Sequence, residues 1–328
     1  MIGTTTPGAA RAGRIALVLG SGGFRGPAHI GVLARLGELG VPIHAMIGCS
    51  VGSLISAYYA AVGLPVEELL EFAFGTGVLA VLAHAVALRL DSRAPGLLGR
   101  FSEDVKRRLD LLGSSDFRTL HHGVEQIGFL MHDRRRGERI FAVTGRERGF
   151  SLSEAVRASS RLPFLFPPLR KEVEGLERSL VDGAFSAPSP VIHAVAAPVS
   201  ATHVIVVDLT GSRRRARHSE LGRWQKLLQD RLMIFRPRPG PRIGLWGSAR
   251  SVRAWYEAGR RAVGPADADR LHAWVAPAAG IRRERQALPT GPERPEHRAD
   301  VDLPPVPGRS AARRGPAPRP LSGDRRDA

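Results

Sequence analysis

Three short stretches of this chain carry residue types that could do chemistry. The first is Gly48-Cys49-Ser50-Val51-Gly52, a G-x-S-x-G. On a sharp strand-to-helix turn the serine Oγ is exposed at the end of a sheet, and flanking glycines remove the Cβ clashes that such a turn creates. The following helix aims its first N–H groups and the positive end of its dipole at the same place, so developing negative charge is favoured there. That arrangement suits nucleophilic attack on an acyl group. The pentapeptide alone is common by chance, and an ordinary glycine-rich turn is the competing reading.

The second stretch is Gly20-Ser21-Gly22-Gly23-Phe24-Arg25-Gly26. Consecutive small residues let backbone N–H groups face a cavity and form an anion hole. Two readings compete. Gly20, Gly22 and Gly26 fit a variant of the dinucleotide-binding fingerprint, which requires an acidic residue about 20 residues on. Gly48, Cys49 and Ser50 stand there instead. The other reading, an oxyanion hole facing Ser50, explains both turns with one site. The third stretch is Asp182-Gly183-Ala184, after the apolar pair Leu180-Val181. Taken alone, an Asp-Gly is more often a turn than a catalytic base.

These residues need elements to hold them. Arg14 to Gly20 is an apolar run ending in glycine, which predicts a buried parallel strand. Pro27 suits the first turn of a helix, Ile30, Leu33, Leu36 and Leu39 give it an apolar stripe, and Gly40 closes it. Ile43 to Gly48 predicts a second strand and Val51 to Val62 a second helix. Residues 66 to 122 read as mostly helical, with an apolar stretch at Val78 to Leu88. Val124 to Asp133 and Arg139 to Gly145 predict a strand pair, and Ser151 to Glu154 a capping box ahead of a short helix. Pro163, Pro167 and Pro168 predict extended chain. Ser179 to Asp182 and His203 to Leu209 predict strands, and Ser248 to Val263 a helix on the core. Alternating strands and helices imply an α/β sandwich with a mainly parallel sheet, helices forming the outer two of three layers.

Together, in this order and at this spacing, the three stretches resemble the patatin-like phospholipase family. The resemblance runs from about Arg14 to Leu209. It covers the glycine-rich block Ser21 to Gly26, the serine motif Gly48 to Gly52, the Asp-Gly-Ala at Asp182 to Ala184, and Ala155 to Pro168 ahead of the aspartate. It implies a patatin-like fold and a dyad without histidine. Ser50 would be the nucleophile and Asp182 its base, with the amides of Gly22, Gly23 and Val51 as the oxyanion hole. Ser21, Phe24, Arg25 and Gly26 would complete the loop, and Gly48, Cys49 and Gly52 the elbow. The implied substrate is a phospholipid or other lipid ester. Three residues depart from the family pattern. Ser21 replaces a glycine, Cys49 a threonine, and Phe24 a residue that is often small.

Composition sets the limits. The 328 residues and 43% hydrophobic content are enough for one large packed domain. The formal charge of +17, mostly arginine, suits anionic partners such as phospholipid headgroups, nucleic acid or polyphosphates. The resemblance points to lipid, so a peripheral position on the inner face of a membrane is expected and nucleic acid is not. Cys49 is the single cysteine, so neither an internal disulfide nor a cysteine metal site is expected, and no cofactor is implied. No secretory signal or membrane span is read, which suggests a cytoplasmic protein. The expected division is a leader at 1–13, a catalytic domain at 14–210, a basic, partly helical extension at 211–280 packing on the core, and a disordered Pro/Arg-rich tail at 281–328. Residues 211 to 261 hold 14 Lys or Arg against three acids, with Trp224, Leu227, Leu228, Leu232 and Phe235 interleaved. A non-enzymatic membrane-binding role for that segment is the alternative reading. His193, His203 and His218 follow Asp182, so a Ser-Asp-His order is formally open. His29 is expected to pack or cap rather than react, and Tyr58 and Tyr59 to lie in the core. Arg25 is expected to orient its loop, meet a phosphate, form a salt bridge or face solvent.

Overall fold

The computed structural model describes residues 13–75, 106–210, 220–240 and 248–276. The expectations for most of the leader, Val78 to Leu88, His218, parts of the basic segment and the tail lie outside the described residues.

Period-two alternation in the first strand sets up both faces of the fold. In β1 (Ile15–Leu19), Ile15, Leu17 and Leu19 enter one core cluster and Ala16 and Val18 the other, and all five are inaccessible to solvent. A strand apolar at every position must be covered on both sides. The larger cluster lies under α1 (Pro27–Glu38), α2 (Val51–Ala57), α3 (Val66–Gly75), α4 (Leu152–Ser159) and two later helices, α7 (Ala249–Ala262) and α8 (Pro265–Val275). The smaller lies under α5 (Ile192–Val195) and α6 (Glu220–Leu228). The result is the three-layer sandwich expected.

The remaining strands are β2 (Ala45–Gly48), β3 (Gln126–Asp133), β4 (Glu138–Val143), β5 (Leu169–Val173), β6 (Leu176–Asp182), β7 (His203–Val207) and β8 (Leu232–Phe235). The sheet runs β5-β6-β3-β2-β1-β7-β8, with β4 also on β3. From β3 to β8 it is parallel; β4, β5 and β6 add antiparallel pairings. Leu19 pairs with Gly48 and with Val207, so the carboxyl ends of β1, β2 and β7 meet at one edge. Ligands of open α/β sheets bind outside that edge.

Two elements differ from expectation. The helix after Ser50 widens into a π-helical turn at Tyr58–Val62 before Gly63 ends it in the left-handed conformation. The three prolines near 165 do not simply extend the chain. Leu162 O accepts hydrogen bonds from Leu165 and Phe166 N–H, a turn with Pro163 directly after its first residue, where its fixed φ is favourable. The capping box is present. Ser151 Oγ accepts from Glu154 N–H at 3.2 Å, and Glu154 accepts from Ser151 N–H at 2.9 Å.

The segment after 211 is more deeply built in than its charge suggests. β8 pairs with β7, and Leu228, Leu232 and Phe235 are buried, which leaves Leu227 as the exposed large apolar residue of the interleaved set. No helix among the described residues is long and apolar enough to cross a membrane.

Candidate active site

Ser50 sits between the end of β2 and the start of α2 with φ 58° and ψ −128°, a conformation costly for a residue with a Cβ. Neighbouring glycines make the turn possible. A Cβ on Gly52 would lie 2.0 Å from the Leu19 carbonyl oxygen, so α2 can begin this close to β1 only with glycine there. Gly48 is held similarly against Ser53, and Cys49 is fully buried with its thiol donating to Ala187 O at 3.5 Å. Burial, with a smaller contribution from Asp182, holds that thiol well above its usual pKa, so it stays neutral.

Asp182 ends β6 and is 2% exposed. Its Oδ1 accepts from Ala184 N–H at 2.8 Å, while Oδ2 is buried with no full hydrogen bond to the protein. Burial raises its pKa, and the nearby Ser50 hydroxyl and the Ala184 amide hold the rise back in part. Asp182 thus keeps one buried carboxylate oxygen without a hydrogen-bond partner.

Both residues are braced by the Ala155 to Pro168 stretch, to which the sequence reading assigned no role in the site. Ser50 N–H donates to Ser159 O at 3.2 Å and Asp182 N–H to Arg161 O at 2.9 Å. Ser159 Oγ in turn donates to Leu130 O at 2.6 Å and meets Ser53 Oγ at 2.7 Å, which ties α4, α2 and β3 together behind the elbow. The contacts of Ser159 with Ser50 and Ser53 cross more than 100 residues, and no local pattern announces them.

The glycine-rich turn comes to the same place. Gly23, Phe24 and Gly26 line one cavity with Ser50 and Val51, and a Cβ on Gly26 would stand 2.5 Å from Val51 Cγ2. Among the described residues, no acceptor takes the N–H of Gly22, Gly23 or Val51. Gly23 has φ 54°, whereas Ser21 is not left-handed and donates its N–H to Pro188 O at 2.9 Å, so serine carries no backbone penalty there. Arg25 donates to Leu209 O at 2.6 Å and lies 5.8 Å from the centre of the Trp255 ring. These contacts tie the loop to Leu209, and among the described residues no carboxylate lies within salt-bridge distance of Arg25. His29 is fully buried, with Nε2 donating to Gly20 O at 2.8 Å. Burial pushes its pKa down to about 4, so it is a neutral strut beneath the turn.

No described histidine hydrogen-bonds to Ser50 or Asp182. His193 stacks on Phe141 with ring centres 4.1 Å apart, and burial, then Arg139 and Arg148, lower its pKa to about 4. His203 pairs with Ile15, at the opposite end of the sheet from Ser50. Tyr58 is buried and donates to Arg108 O at 2.6 Å, and Tyr59 is partly buried. No three His, Cys, Asp or Glu side chains among the described residues come together as metal ligands.

The cavity over Ser50 measures about 280 Å³. Its walls are mainly apolar side chains from α1, α2, α3 and the 162–166 turn, among them Ile30, Leu54, Phe72 and Phe166, with Phe24 at the glycine-rich loop and Arg157 and Arg161 also on the lining.

The patatin-like phospholipase family model matches residues 17–195, more than half of the chain. The chain belongs to the patatin-like phospholipase family. Membership places this patatin-like chain with lipid hydrolases at the level of the family. Uncharacterised NTE family proteins of Mycobacterium bovis and Mycobacterium tuberculosis are 33% identical over 203 residues, 61% of this chain and 50% of theirs. The patatin-like chain therefore spans about half the length of these curated relatives. Human patatin-like phospholipase domain-containing protein 6 is 61% identical over 46 residues, 14% of this chain and 3% of that protein. Among solved structures, VipD from Legionella pneumophila aligns with a TM-score of 0.46 and 10% identity, over 81% of this chain and 68% of VipD.

Proposed function

We propose that this chain is a serine lipid acyl hydrolase of the phospholipase A or carboxylesterase type, working through a Ser50–Asp182 dyad. The observation that carries this reading is a strained serine at the floor of an apolar cavity, beside a buried carboxylate with one unbonded oxygen.

In the proposed reaction Asp182 accepts the Ser50 hydroxyl proton as Oγ bonds to the ester carbonyl carbon. The carbonyl π pair moves to oxygen, where the N–H groups of Gly22, Gly23 and Val51 hold the negative charge. Each such donor is worth about 3 kcal/mol in comparable sites. Collapse re-forms the carbonyl and breaks the bond to the leaving alcohol, which takes the proton from Asp182. Water then attacks the acyl-serine, Asp182 takes one of its protons, and Ser50 Oγ departs and recovers it. A carboxylate is a weak base for an alcohol, and burial narrows that gap by raising its pKa. The apolar cavity suits the acyl chain.

A fluorophosphonate probe tests the reading. The wild-type protein should label, Ser50→Ala should not, and folded wild-type protein that stays unlabelled would refute the proposal. The pH profile adds a second check. Asp182 must be ionised to act and its pKa is raised from 3.8, so kcat/KM should rise with pH through a limb above the ordinary carboxylate range. A limb at 3.8 would speak against this base. Arg25 supplies a third. Arg25→Ala removes the tie to Leu209 O, so kcat should fall about 10- to 100-fold with KM little changed. A change confined to KM would instead make Arg25 a substrate contact.

A further inference from the structure

One edge of the cavity over Ser50 carries an exposed apolar turn. The turn after α4 carries Leu162, 44% exposed, and Phe164, 91% exposed. Phe164 also has φ 71°, a left-handed conformation that an aromatic residue rarely adopts. The turn is well fastened, since Leu162 O accepts from both Leu165 and Phe166 N–H and Arg161 Nε donates to Pro167 O at 2.6 Å. A braced, strained turn is thus holding an aromatic ring out in solvent. Leu165 and Phe166, the next two residues, turn inward and line the cavity over Ser50.

Charge accompanies the exposed ring. Arg157 and Arg161 line the same cavity. Some arginines on this surface pair with carboxylates, as Arg139 does with Glu220 and Arg148 with Glu174. Arg157 and Arg161 have no carboxylate within salt-bridge distance among the described residues. Burial first and Arg157 second lower the pKa of Arg161 to about 10, as fits two close cations with no anion between them. An apolar tip flanked by unneutralised arginines is complementary to an anionic lipid surface, where rings enter the acyl boundary and guanidinium groups meet phosphates.

We propose that the 157–166 edge is the docking surface by which the cavity meets an anionic phospholipid bilayer. Phe164 and Leu162 enter its apolar layer, and Arg157 and Arg161 take headgroup phosphates. The cavity mouth then opens onto the layer from which an acyl chain would come. This use of the surface rests on the lipid reading of the site, but docking itself requires no turnover.

The test uses the full chain carrying Ser50→Ala, so that binding is read without hydrolysis. Co-sedimentation compares vesicles of phosphatidylcholine with vesicles of phosphatidylcholine and phosphatidylglycerol. Binding to the anionic vesicles is expected. Phe164→Asp should weaken it about tenfold or more, since one aromatic side chain leaves the apolar layer. Arg157→Gln with Arg161→Gln should remove most of the preference for phosphatidylglycerol. Equal melting temperatures would show these variants to be folded. A polarity-sensitive thiol dye at Phe164→Cys reports position, because the native Cys49 is fully buried. Its emission should shift to the blue on anionic vesicles. No binding by the parent, or binding with unchanged emission and no loss in Phe164→Asp, would overturn the proposal. The latter pair of results would move the contact to the basic segment after 211. Docking without fluorophosphonate labelling of the Ser50 protein would separate a failed hydrolase reading from a failed docking surface.

Discussion

Asp182→Asn should abolish ester hydrolysis and, at neutral pH, make the fold more stable. One cause underlies both effects. Asp182 is 2% exposed, and burial raises its pKa because the charged form is poorly solvated there. The folded protein therefore holds the proton to higher pH than the unfolded chain. Any stability that the protonated carboxyl contributes is fully present below 3.8 and is lost as pH rises through the folded pKa. At neutral pH the site carries an ionised group that the fold disfavours. Asparagine keeps an oxygen for the Ala184 N–H and removes the charge. It cannot take the Ser50 proton, and no described histidine is placed to do so. The loss in kcat should be about 10⁴-fold, the upper range for removing a general base, and Ser50→Ala should lose more, about 10⁶-fold. Chemical denaturation at several pH values checks the stability half. The gain over wild type should shrink as pH falls toward 4. A variant less stable than wild type at neutral pH, or one keeping a tenth of its activity, would contradict the assignment of Asp182 as a buried base.

What could be read from the sequence here was local. A turn announces itself in a few consecutive residues, so Gly20 to Gly26, Gly48 to Gly52 and Asp182 to Ala184 stood out. The strands before them were visible as apolar runs ending at those turns. The ends of α1 and α7 followed from Pro27, Gly40 and Ser248, because caps are local chemistry as well. What could not be read depends on separation along the chain. Leu232 to Phe235 is a four-residue strand whose partner lies some 28 residues away, and the basic, partly helical extension expected there included no strand. The braces from Ser159 and Arg161 are backbone carbonyls, so residue type carries no sign of them. Phe164 is the reverse case, since a sequence rich in proline and phenylalanine gives no hint that one ring is turned outward.

The glycine-rich loop depends on a helix crossing far from it in sequence, and the second large effect should appear there. α1 begins at Pro27, directly after that loop, and α7 lies across it. The two backbones approach so closely that a Cβ on Gly31 would stand 2.0 Å from Tyr256 O, and one on Gly259 would stand 2.1 Å from Ala28 O. The obstacle is backbone on both sides, so no side-chain rotation relieves it. Gly31→Ala or Gly259→Ala must push the helices apart and open gaps beneath Ala28 and Trp255, and each should cost about 3 kcal/mol of stability. Once one substitution has separated the helices, the second meets less resistance. The double variant should therefore lose clearly less than the sum of the singles. Urea unfolding of the four proteins measures this, and strict additivity would mean that the two clashes are independent. The separation should also reach the active site. Trp255 on α7 lies beside Arg25, and Arg25 holds the loop that carries Gly22 and Gly23. Either variant, assayed below its melting range, should then lose kcat in the manner of Arg25→Ala. A helix whose sequence reads as part of a basic extension would in that case be part of what holds the oxyanion donors in position.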